Sequence, residues 1–227
     1  ATFALDETFV RFYFEYKNDE QKLKEKLSSI IFISMIISFF VIVILYYNRY
    51  YIWSKLISDY DEKIFIYILV IIFTTPFIGI YQKYLRIMEK IKEYSKISMS
   101  IAFMQMASTL ILLIIFKLKS EAIVIGQMIP SVIMYIYSCI KLITRFGISL
   151  KIDSVKEILK YCIPIVPYNL AAWGLTSFTL IYLGKTKTNF EVGILNAMNY
   201  YAIIINVLGI AVVNAWQPWI YKKMEKG

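Results

Sequence analysis

The sequence predicts an all-α fold, a polytopic membrane bundle in which six helices cross the bilayer. Two observations support this prediction. Hydrophobic residues make up 59% of the 227-residue chain and charged residues only 18%, whereas a soluble domain usually carries about 45–50% and about 25%. The apolar residues also fall in uninterrupted blocks, each close to the ~20 residues that a helix needs to cross the hydrocarbon core.

Six such blocks are predicted to be the transmembrane helices, and none has the alternating polarity of a membrane-spanning strand. They cover residues 27–47, 64–81, 97–116, 122–143, 162–183 and 192–213. The first block is almost free of polar residues, which indicates a helix that faces lipid. The later four carry polar side chains and are expected to line an interior.

Lysine and arginine concentrate in alternate connections between the blocks. The N-terminal segment, the connections after the second and fourth blocks and the C-terminal tail together hold 17 of the 25 basic residues. Because cytoplasmic loops are enriched in Lys and Arg, both chain ends are predicted to be cytoplasmic. Two of these connections are predicted to be helical. Leu85, Met88 and Ile91 suggest a short amphipathic segment, and Ser154-x-x-Glu157 suggests a capping box that starts a helix before Pro164 and Pro167.

The residue inventory argues against an enzyme. The chain has no histidine, and its two cysteines, Cys139 and Cys162, form no CxxC pattern. These absences remove the commonest general base and metal ligand, and no nucleotide-binding motif is present. We therefore expect no catalytic residues, no cofactor and no metal site. The net charge is +9, and the basic residues lie beside the apolar blocks. We therefore expect anionic membrane lipids as a partner and do not expect nucleic acid.

The sixth block and the residue that follows it carry four asparagines within an arc of about 80° on the helical wheel. They are Asn196, Asn199, Asn206 and Asn214. An amide in hydrocarbon needs a hydrogen-bonding partner or water. The stripe is therefore either a cavity wall that binds a polar, sugar-bearing ligand or a source of interhelical hydrogen bonds, worth about 0.6 kcal/mol each.

Other blocks repeat this pattern. Asn169, Trp173 and Thr176 share a face of the fifth block, and Gln105 and Gln127 lie in the third and fourth. These side chains are candidates for the same cavity, although Trp173 also suits an interfacial anchor. No ionisable residue lies near the middle of any block, whereas ion-coupled transporters usually place one there.

Four sequence pieces, in their order and spacing, resemble a known family. The pieces are RFYFEY (residues 11–16), Tyr84-Leu85-Arg86 with Tyr94-Ser95, LKYCIPIVPYNLAAW (159–173) and VGILNAM followed by NAWQPWIY. Together they resemble the lipid-linked oligosaccharide flippases of polysaccharide biosynthesis (Wzx type), in the multidrug/oligosaccharidyl-lipid/polysaccharide exporter superfamily.

The resemblance implies that the chain is part of a longer, two-lobed protein of a bacterial inner membrane. Residues 1–143 would be helices three to six of the first lobe, 144–161 a cytoplasmic connection, and 162–227 the start of the second lobe. It implies a flippase that carries undecaprenyl-diphosphate oligosaccharide to the outer leaflet for O-antigen or capsule synthesis. Other polysaccharide-assembly membrane proteins are possible partners.

One position departs from the family pattern. Where the family typically has an Asp-Arg pair in the seventh helix, this chain has Thr179 and Leu180. Contact with the lipid diphosphate would then fall to other residues, with Arg11 and Arg86 as candidates; both also suit interface anchors.

Three alternatives stay open at this point. A drug exporter of the same superfamily would be expected to carry a membrane-embedded carboxylate. A polysaccharide polymerase or ligase would need a large outer loop, whereas the outer connections, 48–63, 117–121 and 184–191, are short. A membrane scaffold without transport activity is the third.

Overall fold

The structure is a computed structural model that describes residues 4–56, 61–118, 121–147, 149, 151–186 and 189–225. These residues form α-helices and connections, with no strand among them. The helices are α1 (Leu5–Tyr16), α2 (Glu20–Tyr47), α3 (Arg49–Leu56), α4 (Glu62–Ile87), α5 (Ile91–Ile114), α6 (Glu121–Phe146), α7 (Ile152–Thr186) and α8 (Asn189–Glu225). The all-α prediction is confirmed.

Four of these helices, α2, α4, α5 and α6, are long and apolar enough to cross a membrane. The first four predicted blocks lie in these helices, except that the third block continues two residues past the end of α5 at Ile114. The fifth and sixth blocks lie in α7 and α8, which are 35 and 37 residues long. Six spanning helices remain a prediction.

The chain divides into two compact units, Ala1–Ile165 and Val166–Gly227. The first contains α1 to α6 and the beginning of α7, and the second contains the rest of α7 and α8. The predicted connection, 144–161, thus lies wholly within the first unit. The assignment of the chain to two transporter lobes stays a prediction.

The core of the first unit lies at one end of its helices. There α1 packs against the beginning of α2, the end of α4, the end of α6 and the beginning of α7. The buried side chains of this core are Leu5, Phe9, Phe12, Leu27, Ile30, Ile31, Ile33, Phe77, Ile80, Tyr81, Leu85, Leu142, Phe146, Ile158 and Cys162. We call this region the basic end, because it also carries Arg11, Lys26, Lys90, Arg145 and Lys151. A smaller cluster around Phe65 and Leu69 joins α2 and α4 at their other ends.

Aspartate caps begin both α2 and α4. The Asp19 carboxylate accepts a hydrogen bond from the Lys22 amide at 3.1 Å, and Asp61 accepts from the amides of Lys63 and Ile64 at 2.9 and 3.3 Å. Such caps satisfy amides that have no partner within the first helical turn. The hydrogen bond from the Lys22 backbone also lowers the pKa of the Asp19 carboxyl.

The separate amphipathic segment predicted around Leu85, Met88 and Ile91 is wrong. The helix α4 continues to Ile87, and its Leu85 is buried in the core. A tight turn follows, in which Glu89 adopts a left-handed φ of 55°, and α5 begins at Ile91. The helical spacing of these three residues therefore spans the end of one helix and the start of the next.

A helix does begin in this segment, as predicted, but the capping box at Ser154 is wrong. The helix α7 begins at Ile152, two residues before it. Ser154 is fully buried, and the Glu157 carboxylate pairs with Lys26 instead of capping the helix. The helix then continues through Pro164 and Pro167, although each removes one backbone N–H donor.

Candidate functional site

The beginning of α7 is held against α1 and α2 by charged and polar contacts. The Lys26 ammonium, on a residue only 8% exposed, lies 2.5 Å from the Glu157 carboxylate. Lys151 pairs with Glu25 at the same distance. The Ser29 hydroxyl donates to the Ser149 carbonyl at 3.3 Å. Ionic groups from distant parts of the chain therefore fix the segment that precedes the fifth predicted span.

A cavity of about 320 Å³, here the α1–α7 cavity, lies beside these contacts. Its lining residues are Arg11, Phe12, Glu15, Tyr16, Glu157, Lys160 and Tyr161. The Arg11 guanidinium lies 4.4 Å from the centre of the Tyr161 ring, and its Nε is 3.4 Å from the Glu15 carboxylate. Two carboxylates therefore balance two cations, and Arg11 is already engaged by an acid and an aromatic ring.

A second cavity of about 290 Å³, here the α4–α6 cavity, lies between the end of α4, the α4–α5 turn and the end of α6. Its lining residues are Tyr81, Tyr84, Leu85, Lys90, Glu93, Lys141, Thr144 and Arg145. Three cations face one carboxylate, so the lining is net positive. This arrangement suits a bound anion better than the balanced α1–α7 cavity does.

Sequence reasoning did not identify the α4–α6 cavity. Lys141 and Arg145 lie one helical turn apart at the end of α6 and therefore share a face, and this spacing was the available signal. Nothing in the sequence indicated that Lys90 lies near them, because the α4–α5 turn and the end of α6 are about fifty residues apart.

The two arginines predicted to contact the lipid headgroup lie in different surroundings. Arg11 lines the α1–α7 cavity. The Arg86 guanidinium lies 5.3 Å from the centre of the Tyr94 ring, and Arg86 lines neither of the two cavities. Headgroup contact by either residue stays a prediction.

The amide and tryptophan candidates do not line the two described cavities. Gln105 is half-buried on α5 and Gln127 is exposed on α6. In the second unit Asn169 is half-buried, and Trp173 and Asn199 are exposed. The side chains of Thr176, Asn196, Asn206 and Asn214 lie outside the described residues. A substrate cavity built from these residues stays a prediction.

Two polar residues of α5, Ser108 and Thr109, pack closely against Gly126 of α6. The Ser108 hydroxyl donates to the Gly126 carbonyl at 2.8 Å. A Cβ added to Gly126 would lie 2.9 Å from the Thr109 Cα. This polar face of α5 therefore packs against the backbone of α6, as small residues do between membrane helices.

Within the described residues, no group of three or more His, Cys, Asp or Glu side chains is placed to hold a metal ion. Cys162 is buried in the core of the basic end, 2.9 Å from the Thr8 hydroxyl. Its surroundings are those of a packing residue.

Comparison with known proteins assigns the family. A family model described as polysaccharide biosynthesis protein matches residues 1–224, almost the whole chain. The chain belongs to the polysaccharide biosynthesis protein family. The resemblance that the sequence pieces suggested is thereby confirmed, and the family fits the membrane-embedded helices of the fold. No curated protein and no solved structure matches the sequence.

Proposed function

We propose that the protein is a flippase. It moves oligosaccharide repeat units linked to undecaprenyl diphosphate to the outer leaflet of the bacterial inner membrane, where they supply O-antigen or capsule synthesis. The family match over residues 1–224 carries this proposal. The four long apolar helices supply the membrane-embedded body that such a transporter needs.

The charge distribution supports an orientation with the basic end in the cytoplasm. Basic residues concentrate in the connections that meet at this end, which is the pattern of cytoplasmic loops. A lipid diphosphate is anionic, and Lys and Arg near an inner-leaflet surface attract such headgroups. The basic end is therefore suited to gather substrate before it crosses the bilayer.

The mechanism requires polar groups along the transport path but no covalent chemistry. An oligosaccharide crossing the hydrocarbon core must exchange its hydrogen bonds to water for bonds to protein or retained water. The asparagines of α8 and the Asn169–Trp173 face of α7 are the groups we assign to that role. No step breaks a bond in the substrate, so the protein acts as a transporter and not as an enzyme.

The test uses the full-length protein in a strain that lacks its own repeat-unit flippase. We expect surface polysaccharide to be restored, and restoration to be lost in Asn199→Ala and Asn206→Ala at matched protein level. Ile205→Ala, between the two sites, is the control and is expected to leave polysaccharide unchanged.

Restoration that survives both asparagine changes would keep the flippase and remove the stripe from its path. Failure to restore polysaccharide in strains with several different repeat units would contradict the flippase. In that case drug-efflux measurements on the same protein would test the multidrug exporter of the same superfamily, and oligosaccharide polymerisation assays the polymerase or ligase.

A further inference from the structure

The α4–α6 cavity has a surplus of positive charge that its own lining leaves uncompensated. Lys90 is 3.6 Å from the Glu93 carboxylate. No ion pair with a carboxylate involves Lys141 or Arg145 in the part of the chain that the structure describes. The Lys141 ammonium lies 5.7 Å from the centre of the Tyr137 ring. Both residues are exposed, so their charges can still engage an external anion.

Backbone structure fixes the positions from which the cations extend. Lys141 and Arg145 are presented by the last turns of α6. The turn that presents Lys90 is closed by a hydrogen bond from its own amide to the Leu85 carbonyl, 2.9 Å long. Leu85 itself is buried. The cavity is thus formed by segments that the core of the basic end fixes, and these segments bring the three cations to one place before any anion binds.

An exposed apolar stripe on α6 leads to this cavity. Its members occupy positions i, i+3, i+4 and i+7 and are 41–57% exposed: Ile133, Ile136, Tyr137 and Ile140. Thr144 lies one turn beyond Ile140 on the same face, with Lys141 and Arg145 beside it. An apolar track that ends in cations matches a molecule with acyl chains and an anionic head.

We propose that the α4–α6 cavity and this stripe bind an anionic glycerophospholipid, of the phosphatidylglycerol or cardiolipin type, from the leaflet at the basic end. Lys141 and Arg145 contact its phosphate, and the stripe contacts an acyl chain. Basic pockets between transmembrane helices recognise such headgroups. The lipid is a resident of the membrane, so the inference does not depend on which substrate is transported.

The test measures lipid binding to the detergent-purified full-length protein by native mass spectrometry, with phosphatidylglycerol and phosphatidylethanolamine of the same chain length. We expect phosphatidylglycerol to bind more tightly. Lys141→Gln/Arg145→Gln removes two charges and is expected to weaken its binding roughly 30-fold, because each lost contact between an exposed cation and the phosphate weakens binding about fivefold.

A matched control removes the same charge beside the cavity. Lys92 and Lys96 are exposed on the first turns of α5 and do not line it. Lys92→Gln/Lys96→Gln is expected to change phosphatidylglycerol binding by less than about threefold, because only long-range attraction is lost. Equal weakening in the two double variants would overturn the proposal.

A second measurement separates a lipid site from a general phosphate site and needs no variant. Inorganic phosphate and glycerol 3-phosphate are added to the wild-type protein carrying phosphatidylglycerol. We expect neither to displace the lipid at millimolar concentration, because neither can contact the apolar stripe. Displacement by either anion, or equal affinity for the two lipids, would contradict a phospholipid site.

Discussion

The basic end and the helix α5 are held to the rest of the first unit in opposite ways. At the basic end, large side chains from α1, α2, α4, α6 and α7 are buried together. Along α5 no residue is buried by the same measure, and Phe103 and Met99 are 74% and 72% exposed. Yet α5 approaches α6 closely enough for the Ser108 hydroxyl to reach the Gly126 carbonyl.

The difference shows two kinds of packing within one unit. The basic end resembles the core of a water-soluble domain, where burying apolar area and pairing charge stabilise the fold. Within hydrocarbon, burying an apolar side chain gains little, because lipid is equally apolar. Close backbone approach between small residues takes over there, and Gly126 permits it.

The largest expected effect is at the centre of the basic end. Phe9 is fully buried and lies edge-on to Phe146, with ring centres 5.9 Å apart. Phe9→Ala is expected to lower the free energy of unfolding by about 3–5 kcal/mol, as truncation of a core aromatic does. Phe103→Ala is the matched control and is expected to cost less than about 0.5 kcal/mol.

Unfolding of the full-length protein by SDS in mixed micelles gives both values. If Phe103→Ala lowered the free energy of unfolding as much as Phe9→Ala does, α5 and the basic end would not differ in packing. That result would mean that this face of α5 is covered in the full-length protein.

The next largest effect tests the close approach of α5 to α6 at Gly126. Gly126→Ala places a Cβ 2.9 Å from the Thr109 Cα, so one helix must move, at about 1–3 kcal/mol for an overpacked contact. Gly174→Ala is the control, because no heavy atom lies within 4 Å of an added Cβ. It is expected to stabilise the helix by about 0.5–1 kcal/mol. The same SDS titration measures both, and a neutral Gly126→Ala would mean that α5 and α6 separate freely.

The smallest effect concerns charge at the basic end. Glu157→Gln leaves the nearly buried Lys26 ammonium without its carboxylate, although the Tyr16 ring lies 5.6 Å away. Because the Glu157 side chain is 51% exposed, the expected cost is about 1–2 kcal/mol, between the values for exposed and buried pairs.

Glu20→Gln removes the carboxylate from the exposed Glu20–Lys24 pair and is expected to have no measurable effect. The free energy of unfolding of the two variants is measured by the same SDS titration at low and at high salt. An effect of Glu157→Gln that disappears in high salt would mean that water reaches the Lys26–Glu157 pair.

Much of the fold could be predicted from the sequence, because the dominant signal is local. An apolar block of about twenty residues is a property of consecutive residues, and the first four blocks correspond to α2, α4, α5 and α6. The buried set of the basic end was not predictable in this way. Its contacts, such as Lys26 with Glu157, join residues that are 131 positions apart. The periodicity of a local sequence pattern does not indicate which distant residues come into contact.

The candidate site was predicted less completely for the same reason. Arg11 was predicted as a site residue and does line a cavity, but the cavity with surplus charge needs Lys90 from the α4–α5 turn and Arg145 from the end of α6. Ser154-x-x-Glu157 matches the sequence pattern of a capping box. Burial of Ser154 and the ion pair of Glu157 with Lys26 override that local preference.

The contact between Thr8 and Cys162 also has a consequence for synthesis of the protein. The two residues are 154 positions apart, and the ribosome adds about 5–20 residues per second. Roughly 8–30 seconds therefore pass between the appearance of α1 and the arrival of the segment that completes its packing. During that interval Leu5, Phe9 and Phe12 lack part of their final surroundings, and α1 is exposed to chaperones, proteases and the membrane surface. A nascent chain halted before Ile158 should therefore be cleaved in α1 far more readily than one halted after the segment around Ile158 has left the ribosome.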